Sequence, residues 1–322
     1  MPSASDTAYP RLKANPADKE LVEVYTPTEN ELAFARKRTN QPVQRVGLLL
    51  LLKAFQRLGY FVSFADIPDA IVRHIASCVG LPEVPQTMHT YDLGTSRDRH
   101  KALVREYLGI TPYGKEARTV IIQTCFRAAR IREDLPDIIN MAIEELIRLR
   151  YELPAFSTLL RIARTTRYSQ NRAFQDRIFS SLDADARQKL QSLLRREDGE
   201  TRSAWDRIKR EPSRATVLQF KEALAHLCWL QQLNVAATAY ADIPEVKIRQ
   251  FAAEARSLDL TSLSDMPERK RFTLISALIL KQVARALDDV TDMFLRQVKR
   301  MHNKAEEALT LYRSAHTEQM MP

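Results

Sequence analysis

Residues Asp134–Arg172 read DLPDIINMAIEELIRLRYELPAFSTLLRIARTTRYSQNR, and this stretch decides the fold class. It reads as an amphipathic helix, a short break at Leu153–Pro154, and a second helix with a basic face. At ~100° per residue, Ser157, Arg161, Arg164, Tyr168 and Arg172 fall on one side of that second helix. Leu159, Ile162 and Ala163 fall on the other. A helix that packs with one face and presents guanidiniums and a tyrosine on the other suits an anionic, stackable partner. Double-stranded DNA is the leading candidate.

Working outward, the same periodicity recurs nearly everywhere and alternating strand patterns are absent, so the chain is expected to be all-α: multi-helical, with helix-turn-helix-like units followed by a long C-terminal helix. The prolines and scarce glycines mark the ends. Thr26–Pro27–Thr28–Glu29 predicts a capping box opening a helix to Arg38. A helix over Pro42–Leu58 stops at Gly59, and one opening at Ile67–Pro68–Asp69 stops before Gly80. Leu81–Gly94 reads as loop, Thr95 or Ser96 caps a helix to Leu108, and Lys115–Arg132 is the next helix. Beyond the opening pair, helices are expected over Ala184–Arg196, Arg214–Gln232 (capped by Ser213) and Pro244–Ser257. A last helix from Pro267 runs past Tyr312, ~60 Å or more at ~1.5 Å per residue. Its apolar positions, among them Phe272, Ile275, Ile279, Phe294, Val298 and Met301, can pack on the domain early and need a partner late. The expected organisation is a flexible arm (1–25), a helical DNA-binding region (26–180), a second helical region (181–258) and the long helix for packing or dimerisation (259–322). No internal repeat is visible, which argues against a solenoid.

With 322 residues, 45% of them hydrophobic, the chain can bury a core, and its formal net charge of +9 favours a phosphate-bearing partner. Three distant cysteines, Cys78, Cys125 and Cys228, offer neither a disulfide framework nor a zinc site and read as small buried residues of a reducing cytoplasm. The most apolar run, Val46–Leu52, is too short to cross a bilayer, and no signal peptide is visible. These features predict a cytoplasmic, nucleoid-associated protein without membrane contact.

Only Asp176 is acidic between Ala155 and Arg177, so the usual salt-bridge lacing of a solvated face is missing from the basic helix. Arg167 and Thr158 belong to the same candidate surface. A second cluster, Arg97, Arg99, His100, Lys101 and Arg105, surrounds a helix start, where backbone N–H groups also favour phosphate; Asp98 and Glu106 could equally neutralise it. Arg36–Lys37–Arg38 sits at a helix C-terminus, where it complements the macrodipole. Asp288, Asp289 and Asp292 are explained by i,i+4 pairing with Arg285 and Arg296 rather than by metal. The six histidines form neither HExxH nor HxxxH, and no phosphate loop, GxGxxG or GxSxG occurs. No catalytic residue, metal or cofactor is expected.

Four runs then carry a resemblance: LLLLLKAFQRLGYFVSFADIPDAIVRHIASCVGL (Leu48–Leu81), RDRHKALVREYLGI (Arg97–Ile110), LPAFSTLLRIARTTR (Leu153–Arg167) and PERKRFTLISALILKQVARALDDVTDMFLRQV (Pro267–Val298). From about Tyr9 the chain resembles the N-terminal part of Tn-three-family replicative transposases. The resemblance implies a helical region that recognises transposon terminal inverted repeats and takes part in a dimeric assembly. It also implies that metal-dependent strand transfer belongs to an Asp-Asp-Glu domain downstream, so this chain is expected to be no enzyme by itself, and Asp288, Asp289 and Asp292 are not borrowed for that triad. The competing expectation is a helical protein–protein scaffold that leaves DNA unbound, with the long helix as its docking surface.

Overall fold

The computed structural model describes residues 2–81, 94–195, 203–210, 216–233, 235 and 237–319, without side chains at 95, 237–238 and 315–319. Among them helix is the regular element throughout, apart from one isolated bridge between Thr111 and Tyr151. The chain is all-α, and it divides into two compact units, Met1–Tyr168 and Ser169–Pro322.

The first unit is built around Pro42–Leu58. The Val46–Leu52 run of this helix is apolar on every side, so it belongs at a centre. Leu48 to Leu52 are at most 1% exposed, and Ala35, Phe64, Ile71, Ile75 and Val104 from the flanking elements close over them. Glu29–Arg38 starts at Thr28, which accepts from the Glu31 amide while Glu31 bonds back to the Thr28 amide. The capping box thus sits two residues later than the sequence suggested, and Pro27 precedes the cap. Glu31 also reaches Lys53 (3.3 Å) and Gln56 (2.7 Å) from the central helix. Asp69–Cys78 and Thr95–Leu108 follow, the latter capped by Gly94 rather than by Thr95 or Ser96. The expected loop falls almost entirely on residues 82–93, outside the described residues.

A second cluster of the same unit packs Ile121, Cys125 and Ala128 of Lys115–Ala129 against Ile138, Ala142 and Leu146 of Leu135–Arg148. Burial pushes the Cys125 thiol up to about 12; Cys78 is half-buried and Cys228 exposed, so only Cys125 fits the reading of buried cysteines. The segment expected as a flexible arm contributes to this core. Tyr9 is 7% exposed, stacks on Tyr60 at 5.0 Å and meets Phe156 edge-on at 5.5 Å.

In the second unit, Glu245–Ser257 packs on a 52-residue helix, Glu268–Gln319, as does Val217–Gln232, whose Phe220 reaches as far along it as Phe294. The core holds Trp205, Phe251, Phe272, Ile275 and Ile279. Val217–Gln232 starts at a Thr216 cap; Ser213 and Arg214 lie outside the described residues. Ala184–Ser192 ends ahead of the expected Arg196, which is likewise not described. At ~1.5 Å per residue the long helix reaches ~78 Å. Its packing changes along the way: Phe272 to Ile279 are buried, whereas Phe294 (55%), Met301 (70%) and Tyr312 (61%) are exposed.

Candidate nucleic-acid interface

The basic helix runs Phe156–Ser181 and enters from a turn fixed on several sides. Gly59 ends the central helix at φ +74°, and its carbonyl accepts from the Leu153 amide at 2.8 Å. Thr111 and the 150–152 strand-like segment exchange two backbone hydrogen bonds of 2.9 Å. The Tyr9 hydroxyl donates to the Pro154 carbonyl (3.0 Å) and the Arg105 guanidinium to Glu152 (2.9 Å). The connection occupies residues 149–155, longer than the break read at Leu153–Pro154 and longer than the three or four residues usual in a helix-turn-helix. Its reversal is made without glycine: Arg150 takes the left-handed conformation at φ +57°.

Within the first unit this helix buries Leu159, Ile162, Ala163 and Thr166. Ser157, Arg161, Arg164 and Tyr168 face solvent, Tyr168 at 63% exposure, and Thr158 is half-buried. The guanidiniums of Arg161 and Arg164 make no hydrogen bond or ion pair with the described residues. The amphipathic division read from the sequence is therefore reproduced, and two neighbouring guanidiniums on the outer face are unspent among the described residues. Arg167 differs: it donates to the Glu133 carbonyl at 2.9 Å, with the Glu133 carboxylate at 3.8 Å. Arg172 lies in the second unit, where its guanidinium is 3.9 Å from Asp176, a carboxylate also engaged by Arg269.

The second basic cluster turns largely inward. Arg97 donates to the Val62 carbonyl at 2.9 Å. Arg105 spans Glu152 and the face of Phe61, 5.0 Å from the ring centre. Lys101 pairs with Asp98 at 3.3 Å and also approaches Phe61. Arg99 is exposed. His100 is buried; burial first, and the neighbouring Arg99 charge second, lower its pKa to about 4. It is neutral near pH 7 and adds nothing to a basic surface. The basic run Arg36–Lys37–Arg38 stays at its helix C-terminus, with Arg38 3.6 Å from Glu106.

Sequence reasoning missed a basic cleft in the second unit, lined by Lys189, Arg195, Arg207, Lys209 and Arg210. The run Arg207–Ile208–Lys209–Arg210 was its one local signal. Among the described residues no cluster of three or more His, Cys, Asp or Glu could hold a metal ion, and no helix is long and apolar enough to cross a membrane.

Fold and surface define an all-helical chain with a rigidly mounted basic helix. Residues 1–166 match a family model described as a domain of unknown function (DUF4158), and the chain belongs to that family. It is also similar to the transposase for transposon gamma-delta of Escherichia coli (strain K12), 23% identical over 285 residues. That alignment covers 87% of this chain and 28% of the relative. The transposase for transposon Tn3926 of Escherichia coli is 22% identical, covering 90% of this chain and 29% of the relative. For the Tn501 transposase of Pseudomonas aeruginosa identity is 20%, with 89% and 29% covered. The chain thus spans under a third of the length of these relatives and resembles Tn-three-family transposases along most of its own.

Proposed function

We propose that this chain is a DNA-recognition part of a transposase and binds the terminal inverted repeats of its transposon. The observation that carries this reading is the pair of exposed guanidiniums, Arg161 and Arg164, without a partner among the described residues, on a helix whose other face is buried. The relatives supply the context, since each is named a transposase. In this reading the Ser157–Tyr168 face enters a major groove. Arg161 and Arg164 address base edges or phosphates, Ser157 and Thr158 the backbone near the helix start, and Tyr168 a sugar or phosphate. Arg99, Lys101 and, from their inward positions, Arg97 and Arg105 are secondary backbone contacts; Arg167 and Arg172 flank the main face. Strand transfer is assigned to none of these residues, and the chain alone is proposed to have no catalytic activity. It acts in the cytoplasm, at the nucleoid, as a homodimer.

The test is a gel shift with a terminal inverted-repeat duplex against a scrambled duplex of equal length. Preferential retardation of the repeat is expected; equal retardation of both would reduce the helix to a phosphate-binding face. A second reading is favoured by the exposed apolar residues of the long helix. Val298, Met301 and Leu309 are exposed apolar residues along its outer part. Such residues suit a partner helix, so the chain is also a helical assembly surface. The two readings are compatible, and a chain that self-associates without shifting either duplex would leave only the second.

A further inference from the structure

The second unit holds a cleft that the reading above does not use. It is open, about 840 Å³, and lies beside the short helix Ala204–Ile208 and the last turns of Ala184–Ser192 and Val217–Gln232. Five cations line it, Lys189, Arg195, Arg207, Lys209 and Arg210, against one carboxylate, Asp206. Across the whole chain the ratio is 49 basic to 40 acidic residues, so the cleft concentrates positive charge well beyond the average. The intervening residues 196–202 and 211–215 lie outside the described residues.

The cations differ in what they already hold. Lys189 is 2.7 Å from Asp185 and Arg210 is 3.1 Å from Glu222. Lys209 donates to the Leu258 carbonyl at 2.6 Å and lies over Trp205, so it is a fixed end of the cleft. Asp206 accepts from the Ser203 amide and hydroxyl, which ties it to its own helix start. The guanidiniums of Arg195 and Arg207 make no hydrogen bond or ion pair with the described residues. Arg207 is nonetheless held in place: its guanidinium stacks 4.2 Å from the centre of Trp229. A stacked guanidinium keeps its N–H edges free for a phosphate oxygen while losing little freedom on binding.

Trp229 also decides what kind of contact is possible. Arg207 covers the ring, and His226 is stacked against the same side chain at 5.7 Å. The indole therefore already has two ring partners, which compete with a base for it. Spaced cations without a free aromatic suit the phosphodiester backbone, which is the same for every sequence.

We propose that this cleft is a second, sequence-independent DNA-backbone site, with Arg195 and Arg207 as its phosphate contacts. It rests on the reading that the chain binds DNA, but not on the basic helix being the reader. The experiment uses the full chain and fluorescence anisotropy with the inverted-repeat and scrambled duplexes over a salt series. R195A/R207A is expected to lower the salt slope by ~1.8, at ~0.9 per phosphate. A fourfold rise in salt then costs ~12-fold less affinity than in the unmodified chain. The effect should be equal on both duplexes, leaving their affinity ratio unchanged. R195K/R207K should recover most of the slope, because lysine still contacts phosphate as a point charge. Both positions are exposed, and a helical circular-dichroism melt checks that the variants stay folded.

An unchanged slope and affinity in R195A/R207A, with the unmodified chain binding, would overturn the cleft. So would a change confined to one duplex, which would make the cleft a reader of sequence. R161A/R164A measured in parallel separates the two proposals. If it alone changes binding, the basic helix stands and the cleft falls; if R195A/R207A alone does, the reverse holds. An unmodified chain that binds neither duplex overturns both.

Discussion

Replacing Gly59 with Ala bears on how the basic helix is mounted. Gly59 sits at φ +74°, where a Cβ costs ~1–2 kcal/mol through contact with the following carbonyl. A Cβ there would also meet Leu153 Cδ1 at 3.2 Å and Cγ at 3.3 Å. Leu153 is buried and its amide is bonded to the Gly59 carbonyl, so the side chain has little room to retreat. Such crowding adds ~1 kcal/mol, at the low end of overpacking costs. Alanine restricts the unfolded chain and returns ~0.4–1 kcal/mol, leaving a net loss of ~2 kcal/mol. Gly80 is the internal control: its φ is +80°, and nothing lies within 4 Å of its Cβ position. Gly80→Ala pays the backbone cost without the collision. In urea denaturation followed by circular dichroism, Gly59→Ala is expected to lose ~1 kcal/mol more than Gly80→Ala. Losses equal within error would refute the claim that Leu153 packs directly on this helix end.

Three further outcomes follow from single contacts. His100 is held near 4 in the fold against 6.5 when free, so the unfolded chain binds its proton first; the stability it contributes is present above pH 6.5 and is lost as pH falls toward 4, and His100→Gln should flatten that part of a stability–pH profile. Arg105→Ala should cost ~1 kcal/mol of stability and Glu152→Gln a similar amount, with no additive loss in the double variant, because the two form one part-buried pair. Val298→Glu combined with Met301→Glu should leave the thermal melt unchanged, both side chains being exposed, and shift the chain toward monomer in sedimentation velocity; an unaltered distribution would remove this part of the long helix from self-association.

The helices were legible because their boundaries are chemical. Pro42 and Gly59 bracket the central helix as the sequence indicated, since a fixed φ at one end and a left-handed residue at the other are local properties. The face of the basic helix was legible for the same reason: Leu159, Ile162 and Ala163 are apolar at helical spacing and are buried. What the sequence could not reveal was the fate of long cationic side chains. Arg97, Arg105 and Arg167 look like Arg161 and Arg164 in a sequence. Yet Val62, Glu152 and Glu133, 34 to 47 residues away, claim the first three. Tyr9 was hidden likewise, because its partners Tyr60, Pro154 and Phe156 are distant in the chain. The cleft in the second unit assembles cations from separate segments and left only the Arg207–Arg210 run as a trace.

The most direct measurement is the affinity of R161A/R164A for the inverted-repeat duplex relative to the scrambled one, by anisotropy at fixed salt. If these guanidiniums read bases, each removed contact costs ~1–3 kcal/mol on the repeat and much less on the scrambled duplex, so the ratio of affinities collapses toward one. A variant that discriminates between the two duplexes as well as the unmodified chain does would contradict the assignment of recognition to this helix.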